Sequence, residues 1–306
     1  MSEVVNHVPM TSTELSILLP AHNNVCVPLV AELQRQAARL QGLRYEILVA
    51  DDGSTDAKSV TANRAINHLP CCRLIERKDN VGRAAIRNFL AREARYEHLL
   101  FIDSDLHICS PSFVKRYVKA RGDVVVGGVR IGGDERKWAG NLRYRYEKAC
   151  ENEHDWRHRS MRSDQEFRTT NFAIARSLML ACPFDENFRH YGYEDVLLGK
   201  AISARGTAIK HIDNPILLDD YEDNLLFVEK TEEACRTLHQ FRNELRGYSK
   251  LIRWQETLGR HRVLSHLMER AYSVMGSHIR RHLITGAPSP RLFNAYKLLY
   301  YMHLCH

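Results

Sequence analysis

Tyr45-Glu46-Ile47-Leu48-Val49-Ala50-Asp51-Asp52-Gly53-Ser54-Thr55-Asp56 is the stretch that decides the fold. Residues 45–50 are mostly apolar and suited to a strand buried on both faces. Two carboxylates and a glycine end it in a polar turn. Asp56 then stands where an N-cap belongs, ahead of a helix. A short apolar strand, an acidic turn and a capped helix form the repeating unit of an α/β sheet.

Working outward, the same unit recurs. Residues 15–20 form a compact apolar strand that ends in Pro20-Ala21-His22-Asn23. Residues 27–40 have helical spacing, with Leu29, Val30, Leu33, Ala37 and Leu40 on one side. Residues 73–76 form a third strand and residues 82–94 a helix. Residues 98–102 form a fourth strand, broken by Asp103-Ser104-Asp105. Ser110-Pro111 opens another helix in the favoured cap-then-proline order, and residues 123–129 form a fifth strand. This alternation predicts an α/β fold with a mostly parallel central sheet and helices on both faces. Ligands of such sheets bind outside the carboxyl ends of the strands. Pro20 to Asn23, Asp51 and Asp52, and Asp103 to Asp105 therefore belong on one rim.

Downstream the pattern weakens. Residues 138–167 are charged and read either as helix or as a mobile loop. Residues 169–175 read as a strand, Phe184-Asp185-Glu186 as a turn, and residues 194–205 as a helix with an acidic start. Beyond Asn224 the chain reads as helical. Val263, Leu264, Leu267, Met268, Ala271, Met275 and Ile279 make an apolar stripe there.

Composition narrows the class. The 306 residues are 44% hydrophobic and 26% charged, as in ordinary globular proteins. No apolar run is long enough to span a membrane. The first fourteen residues lack a basic start followed by an apolar run, so a cytoplasmic chain is expected. The eight cysteines include no CxxC pair, which implies neither a zinc site nor a disulfide framework. The net charge of +7 is uneven: residues 236–306 carry 12 Lys and Arg against 3 Asp and Glu, or +9, leaving −2 elsewhere. That asymmetry suits an anionic partner, with a solubilising helical face as the plainer reading.

Each polar cluster has a chemical and a structural reading. Asp103 and Asp105 can meet one divalent ion, because Mg²⁺ and Mn²⁺ take oxygen ligands and complete their shell from substrate phosphates. Otherwise they are acids on a solvated turn. Asp51 and Asp52 can accept hydrogen bonds from a base or ribose, or simply close a glycine turn. Two acidic turns on one sheet edge favour the chemical reading, since packing gives no reason to gather like charges there. In Asn80-Val81-Gly82-Arg83-Ala84-Ala85-Ile86-Arg87-Asn88, Gly82 permits close backbone approach. Arg83 or Arg87 can face phosphate or ribose, or sit on an ordinary helix. In Tyr191-Gly192-Tyr193-Glu194-Asp195, Asp195 can take a proton from an attacking hydroxyl. Alternatively, Glu194 and Asp195 only complement a helix dipole.

Together these motifs resemble family 2 glycosyltransferases with the A-type glycosyltransferase fold. The resemblance runs over residues 15–230, through Ser16 to Asn23, Val49 to Asp56, Asn80-x-Gly82 with Arg87-Asn88, Phe101 to Asp105, Thr170-Asn171-Phe172, Phe184 to Glu186, and Gly192 to Asp195. It implies a catalytic domain over 15–230 after a tail, 1–14, with a basic helical extension over 231–306. It implies an inverting transfer of a sugar from a nucleoside-diphosphate donor, commonly a uridine diphosphate sugar, to an acceptor hydroxyl in polysaccharide or glycolipid assembly. Pro20 and Asn23 would border the nucleoside, Asp52 would meet the base with Asp51 beside it, and Asn80, Arg87, Asp103 and Ser104 would complete the donor pocket. Asp105 would hold Mn²⁺ or Mg²⁺ with Asp103 beside it. Asp195 would be the catalytic base, with Glu194 and Tyr193 at the acceptor. Relatives carry a metal-binding histidine after the strand that follows the Glu-Asp helix. Here His211 comes early and leucines fill the expected place, leaving Asp219, Asp220 or water.

The acceptor expected from the resemblance is a saccharide or lipid-linked saccharide. The basic C-terminal helices would then lie on the anionic inner membrane surface, or pack as core on the catalytic domain. A sugar-nucleotide nucleotidyltransferase lacks support, because no glycine-rich phosphate loop follows the first strand. A basic nucleic-acid-binding protein also lacks support, because the acidic rim would repel a phosphate backbone.

Overall fold

A computed structural model describes residues 13–305 apart from residue 288. Residues 1–12 of the expected tail lie outside the described residues. The description falls into two units. The first comprises the chain up to Arg130, His154–Arg189 and Leu198–Leu217. The second comprises Ile131–Glu153, His190–Leu197 and Leu218–His306. Residue 230, the expected end of the catalytic domain, lies inside a continuous helix, Asn224–Gln240.

The first unit is built on β1 (Glu14–Ala21), β2 (Arg44–Asp51), β3 (Cys72–Glu76), β4 (His98–Ile102), β5 (Val124–Val126) and, after a short β6 (Val129–Ile131), β7 (Asn171–Ala175) and β8 (Ile209–His211). Among the described residues a seven-stranded sheet has the order β3-β2-β1-β4-β7-β5-β8. Strands β1 to β4 run parallel, whereas β7 is antiparallel to both β4 and β5. The sheet is thus mostly parallel, as the alternation predicts. Ile17, Leu18 and Leu19 of β1 and every residue of Leu99–Ile102 in β4 are buried, so these strands read as unbroken apolar runs. Phe101 stacks on Phe172 with centroids 5.0 Å apart, and Phe167 meets Phe172 edge-on.

Helices cover the sheet. They are α1 (Val27–Ala38), α2 (Ala57–Asn63), α3 (Arg83–Glu93) and α4 (Phe113–Lys119). Asp56 caps α2 as expected, accepting from the Lys58 and Ser59 amides. The expected helix start at Ser110-Pro111 is corrected: Ser112 is the N-cap of α4, and the Phe113 amide donates back to the Ser110 carbonyl. Ser110-Pro111 therefore forms the turn before the helix, and the Ser110 hydroxyl bonds within that turn.

The single fifth strand expected over 123–129 is also corrected. β5 ends at Val126, the chain turns through Gly127 and Gly128, and β6 pairs instead with β9 (Ile216–Leu218) in a separate two-stranded sheet. A Cβ at Gly127 would collide with the Asn171 side chain, the Asn214 carbonyl and the Tyr117 hydroxyl. Valine periodicity continues across the break, but the backbone does not.

Residues 138–161 are mostly short helices, and residues 162–166 form turns. The pieces are α5 (Glu135–Trp138), α6 (Leu142–Ala149), a 3₁₀ turn (Glu151–His154) and α7 (Trp156–Met161). Asp134, Asn141 and Asp155 cap them. Then come α8 (Arg176–Ala181), α9 (Glu194–Ala204), α10 (Asn224–Gln240), α11 (Lys250–Gly259), α12 (Arg262–Thr285) and α13 (Pro290–Leu304).

In the second unit Leu142, Val228, Leu283, Phe293 and Tyr296 form a core joined by Tyr146, Phe227 and Tyr272. Glu232 anchors it, accepting from the Tyr296 hydroxyl at 2.6 Å and from Arg280 at 2.8 Å. The expected apolar stripe of α12 coincides only in part with its buried side: Ile279 packs against this core and Met268 and Ala271 are half-buried. Ser265, Gly276 and Leu283 are buried, whereas Val263, Leu264, Leu267 and Met275 are exposed. Among the described residues no helix is long and apolar enough to cross a membrane.

Candidate active site

Parallel pairing gathers the rim residues of the first unit. β1 and β2 are in register to their ends, Ala21 opposite Asp51, so the loops after both strands emerge side by side. Asn23 adopts a left-handed backbone, φ 53°, which asparagine tolerates better than most residues. Its Oδ1 accepts from the Thr55 and Asp56 amides at 2.8 and 2.9 Å, while its own amide donates to the Ser54 hydroxyl. The Ser54 amide donates to Asp51 Oδ1 at 2.9 Å. Pro20 precedes this clasp at the end of β1.

Asp52 is buried, and both carboxylate oxygens are engaged: the Val81 and Gly82 amides donate to them at 3.0 Å each. Burial raises the Asp52 pKa above the usual carboxylate value, and these two backbone bonds oppose the rise. Gly82 caps α3 with φ 87°, a backbone that side chains rarely adopt, and a Cβ there would press on the Arg189 carbonyl at 3.2 Å. Asp52 thus holds the start of α3 against the end of β2. Asn80 lies beside it, its amide 3.2 Å from the His22 ring.

Two further residues of this rim make contacts the sequence reading did not assign: His22, placed on the rim without a role, and Asn24, outside that reading. His22 Nδ1 lies 3.0 Å from the Asp52 carbonyl, and its Nε2 lies 3.0 Å from Asn23 Nδ2. Donation from Nδ1 to the carbonyl leaves Nε2 as the acceptor. Asn24 Oδ1 accepts from the Ser104 hydroxyl at 3.1 Å, joining the β1 loop to the β4 loop. The Asn24 Nδ2 is buried without a hydrogen-bond partner among the described residues, a donor left over at the rim. The run His22-Asn23-Asn24 is the only signal that would have pointed to them: polar side chains directly after a buried strand.

The β4 loop carries the acidic pair. The Asp103 amide donates to the Thr170 carbonyl, which fixes the turn. Its Oδ1 accepts from Arg87 at 2.7 Å, with the Arg87 side chain 2% exposed and that of Asp103 17%. Arg87 is therefore enclosed behind Asp103 rather than open to solvent. Asn88 next to it clasps the backbone of Phe184 in both directions, at 2.9 Å each way. Asp105 is exposed, two positions on.

Among the described residues no group of three or more His, Cys, Asp or Glu side chains could hold a metal by itself. Asp105 and the second oxygen of Asp103 nonetheless offer the hard oxygen donors that Mg²⁺ or Mn²⁺ takes. Such an ion keeps waters and binds substrate phosphates, so a two-carboxylate set fits it. His211 does not belong to that set. It is buried; its Nδ1 accepts from Arg159 at 2.7 Å and its Nε2 donates to the Ser163 carbonyl at 2.9 Å. Burial pushes its pKa down to about 4, and the Arg159 charge works in the same direction. Arg159 also donates to the Gly127 and Ile212 carbonyls and holds the chain together beneath the end of β5.

A cavity of about 440 Å³ opens beside Asn80, Val81 and Gly82, lined also by Arg77, Arg189 and Arg92, the last within 3.8 Å of the Glu186 carboxylate. Three guanidinium groups around a recess suit a ligand bearing phosphate or carboxylate.

In the second unit Glu194 and Asp195 begin α9. Gly192 and Tyr193 before them both have positive φ, 101° and 71°. For tyrosine that backbone is strained, and such strain concentrates at functional sites. Thr237 donates to the Tyr191 carbonyl, and the Tyr191 amide donates to Glu233, which pins this turn to α10. Burial raises the Tyr193 phenol's pKa. Glu194 is buried and Asp195 half-buried.

A mostly parallel sheet with a polar loop after β1 and acidic loops after β2 and β4 is consistent with the A-type glycosyltransferase architecture. The model of Glycosyl transferase family 2 matches residues 16–184, and the chain belongs to that family. Over 127 residues it is 32% identical to the dodecaprenyl-phosphate galacturonate synthase of Rhizobium johnstonii, a match covering 39% of this chain and 37% of that protein. The chain thus aligns with little more than a third of that relative's length. Its fold is similar to that of the mannosyltransferase PcManGT from Pyrobaculum calidifontis, solved with GDP-Man and Mn²⁺. The TM-score is 0.53 at 14% identity, over 97% of this chain and 86% of that one.

Proposed function

We propose that the protein transfers a sugar from a nucleoside-diphosphate donor to an acceptor oxygen, with inversion at the anomeric carbon. The observation that carries this reading is the convergence of Asn23, Asp51, Asp52, Asn80, Asp103 and Ser104 on one sheet rim. Several of them also brace the loops they sit on, so it is their gathering at the strand ends, together with family membership, that supports the reading. Family membership supports the reaction class, and sets aside the nucleotidyltransferase and nucleic-acid alternatives.

In this reading Pro20 and Asn23 shape the nucleoside pocket. Asp52, with Asp51 beside it, faces the base while keeping the start of α3 in place. Asp103 accepts from the ribose on one oxygen while Arg87 fixes the other, and Ser104 and Asn80 complete the walls. Asp105 and Asp103 would hold Mn²⁺ or Mg²⁺, which neutralises charge on the departing diphosphate. Asp195 takes the proton of the acceptor hydroxyl as that oxygen attacks the anomeric carbon and the nucleoside diphosphate leaves from the opposite side. Glu194 and Tyr193 orient the acceptor.

The acceptor in this reading is a saccharide or a lipid-linked molecule of cell-surface polysaccharide or glycolipid assembly, handled at the cytoplasmic membrane face. The lipid-phosphate relative and the basic C-terminal helices support that class. The test is a thermal-shift and hydrolysis screen of nucleoside-diphosphate sugars with Mn²⁺. Metal-dependent stabilisation by at least one uridine- or guanosine-diphosphate sugar is expected. No response to any nucleotide sugar would overturn the reading.

A further inference from the structure

We propose that α11 and α12 dock the chain on an anionic lipid surface through the outward side of α12. Val263, Leu267 and Val274 are 76%, 58% and 71% exposed. With about 100° between successive helical residues, they lie within roughly 40° of one another. That crest is opposite the buried Ser265, Gly276 and Leu283. Single exposed apolar residues are ordinary, but a line of them on the crest of a helix marks an interaction surface. Trp254 on α11 is also 56% exposed, an amphipathic ring suited to headgroup depth.

Charge decides the occupant. Arg270 and Arg281 share the crest with the apolar residues, and Arg253 and Arg260 are exposed on α11 and at its end. Over residues 250–285 seven Lys and Arg oppose two Glu, a balance of +5. A second copy of this chain would bring like charge against like charge. A bilayer of anionic headgroups over acyl chains meets both the cations and the apolar crest. Because no described helix can cross a membrane, α12 lies along the surface. This inference rests on these helices alone, so the outcome of a sugar-transfer assay does not bear on it.

The test is flotation of the full chain with vesicles of phosphatidylcholine, alone or mixed with phosphatidylglycerol. The wild type is expected to float with the mixed vesicles, and added salt should weaken binding. Combining Val263→Asp, Leu267→Asp and Val274→Asp should weaken binding at least about tenfold, with an unchanged melting temperature since all three side chains are exposed. Arg270→Glu with Arg281→Glu should remove the preference for phosphatidylglycerol. A wild type that stays with the soluble fraction would overturn the proposal, as would a triple variant that floats equally well. So would a wild-type dimer that the triple substitution separates without changing flotation, since the crest would then belong to a second copy.

Discussion

Arg87 and Asp103 form an enclosed ion pair at 2.7 Å, linking the first turns of α3 to the loop after β4. Removing one member of such a pair strands the other in a place water reaches poorly. Arg87→Met should therefore destabilise the protein by about 3 kcal/mol and release Asp103 from its orientation. Chemical denaturation reads the first effect. Calorimetric titration with a nucleotide sugar should read the second as affinity weaker by about tenfold, the equivalent of one lost charged contact. Unchanged stability would mean the pair contributes nothing to the fold.

Gly127 is where the expected fifth strand breaks. Alanine there has no room against Asn171, Asn214 and Tyr117. Gly127→Ala should cost about 3 kcal/mol, the upper range for overpacking a dense interior. Alanine at Gly140, which has no positive φ and where a Cβ meets nothing within 4 Å, is the control without crowding. A Gly127 variant as stable as the wild type would contradict the crowding.

His211 supplies a pH dependence. Its folded pKa, about 4, lies below the ordinary histidine value of 6.5, so the folded chain resists taking up the proton. Its contribution is fully present above the unfolded pKa and is lost as pH falls from about 6.5 through about 4. The size of the shift makes that loss about 3 kcal/mol. Urea midpoints across this interval should fall more steeply for the wild type than for His211→Gln, which retains an acceptor for Arg159. Parallel slopes would remove His211 as the cause.

Asp105→Ala should abolish the Mn²⁺-dependent part of donor binding and leave the fold intact, because Asp105 is exposed. Titrating donor with and without metal separates the two. A variant whose donor affinity still responds normally to Mn²⁺ would exclude Asp105 as a ligand.

The first unit was largely legible because its strands are buried on both faces. Apolar runs such as Leu99 to Ile102 leave no competing reading, and Asp56 announces its helix by a cap that it does make. What the periodicity missed depends on contacts distant in sequence. Val129 continues the valine run beyond Val126, yet Asn171 and Asn214 exclude a side chain at Gly127 and turn the strand away. Arg159 looked like one more charge in a polar segment, although its partners are carbonyls and a histidine up to 53 residues away. Asp52 was legible as a rim carboxylate, but its engagement with the Val81 and Gly82 amides was not, because it depends on how α3 meets β2. In α12 the apolar stripe was visible, but its most buried positions, Ser265, Gly276 and Leu283, lie to one side of it, and two of them are not large apolar residues.

The central claim is a sugar transfer in which Asp195 serves as the base, and one paired measurement tests it most directly. Donor affinity and acceptor-dependent release of nucleoside diphosphate should be compared between the wild type and Asp195→Asn. The account predicts donor affinity within about twofold and release slower by at least about 100-fold, the usual contribution of a general base. Equal release rates in the two proteins would contradict it.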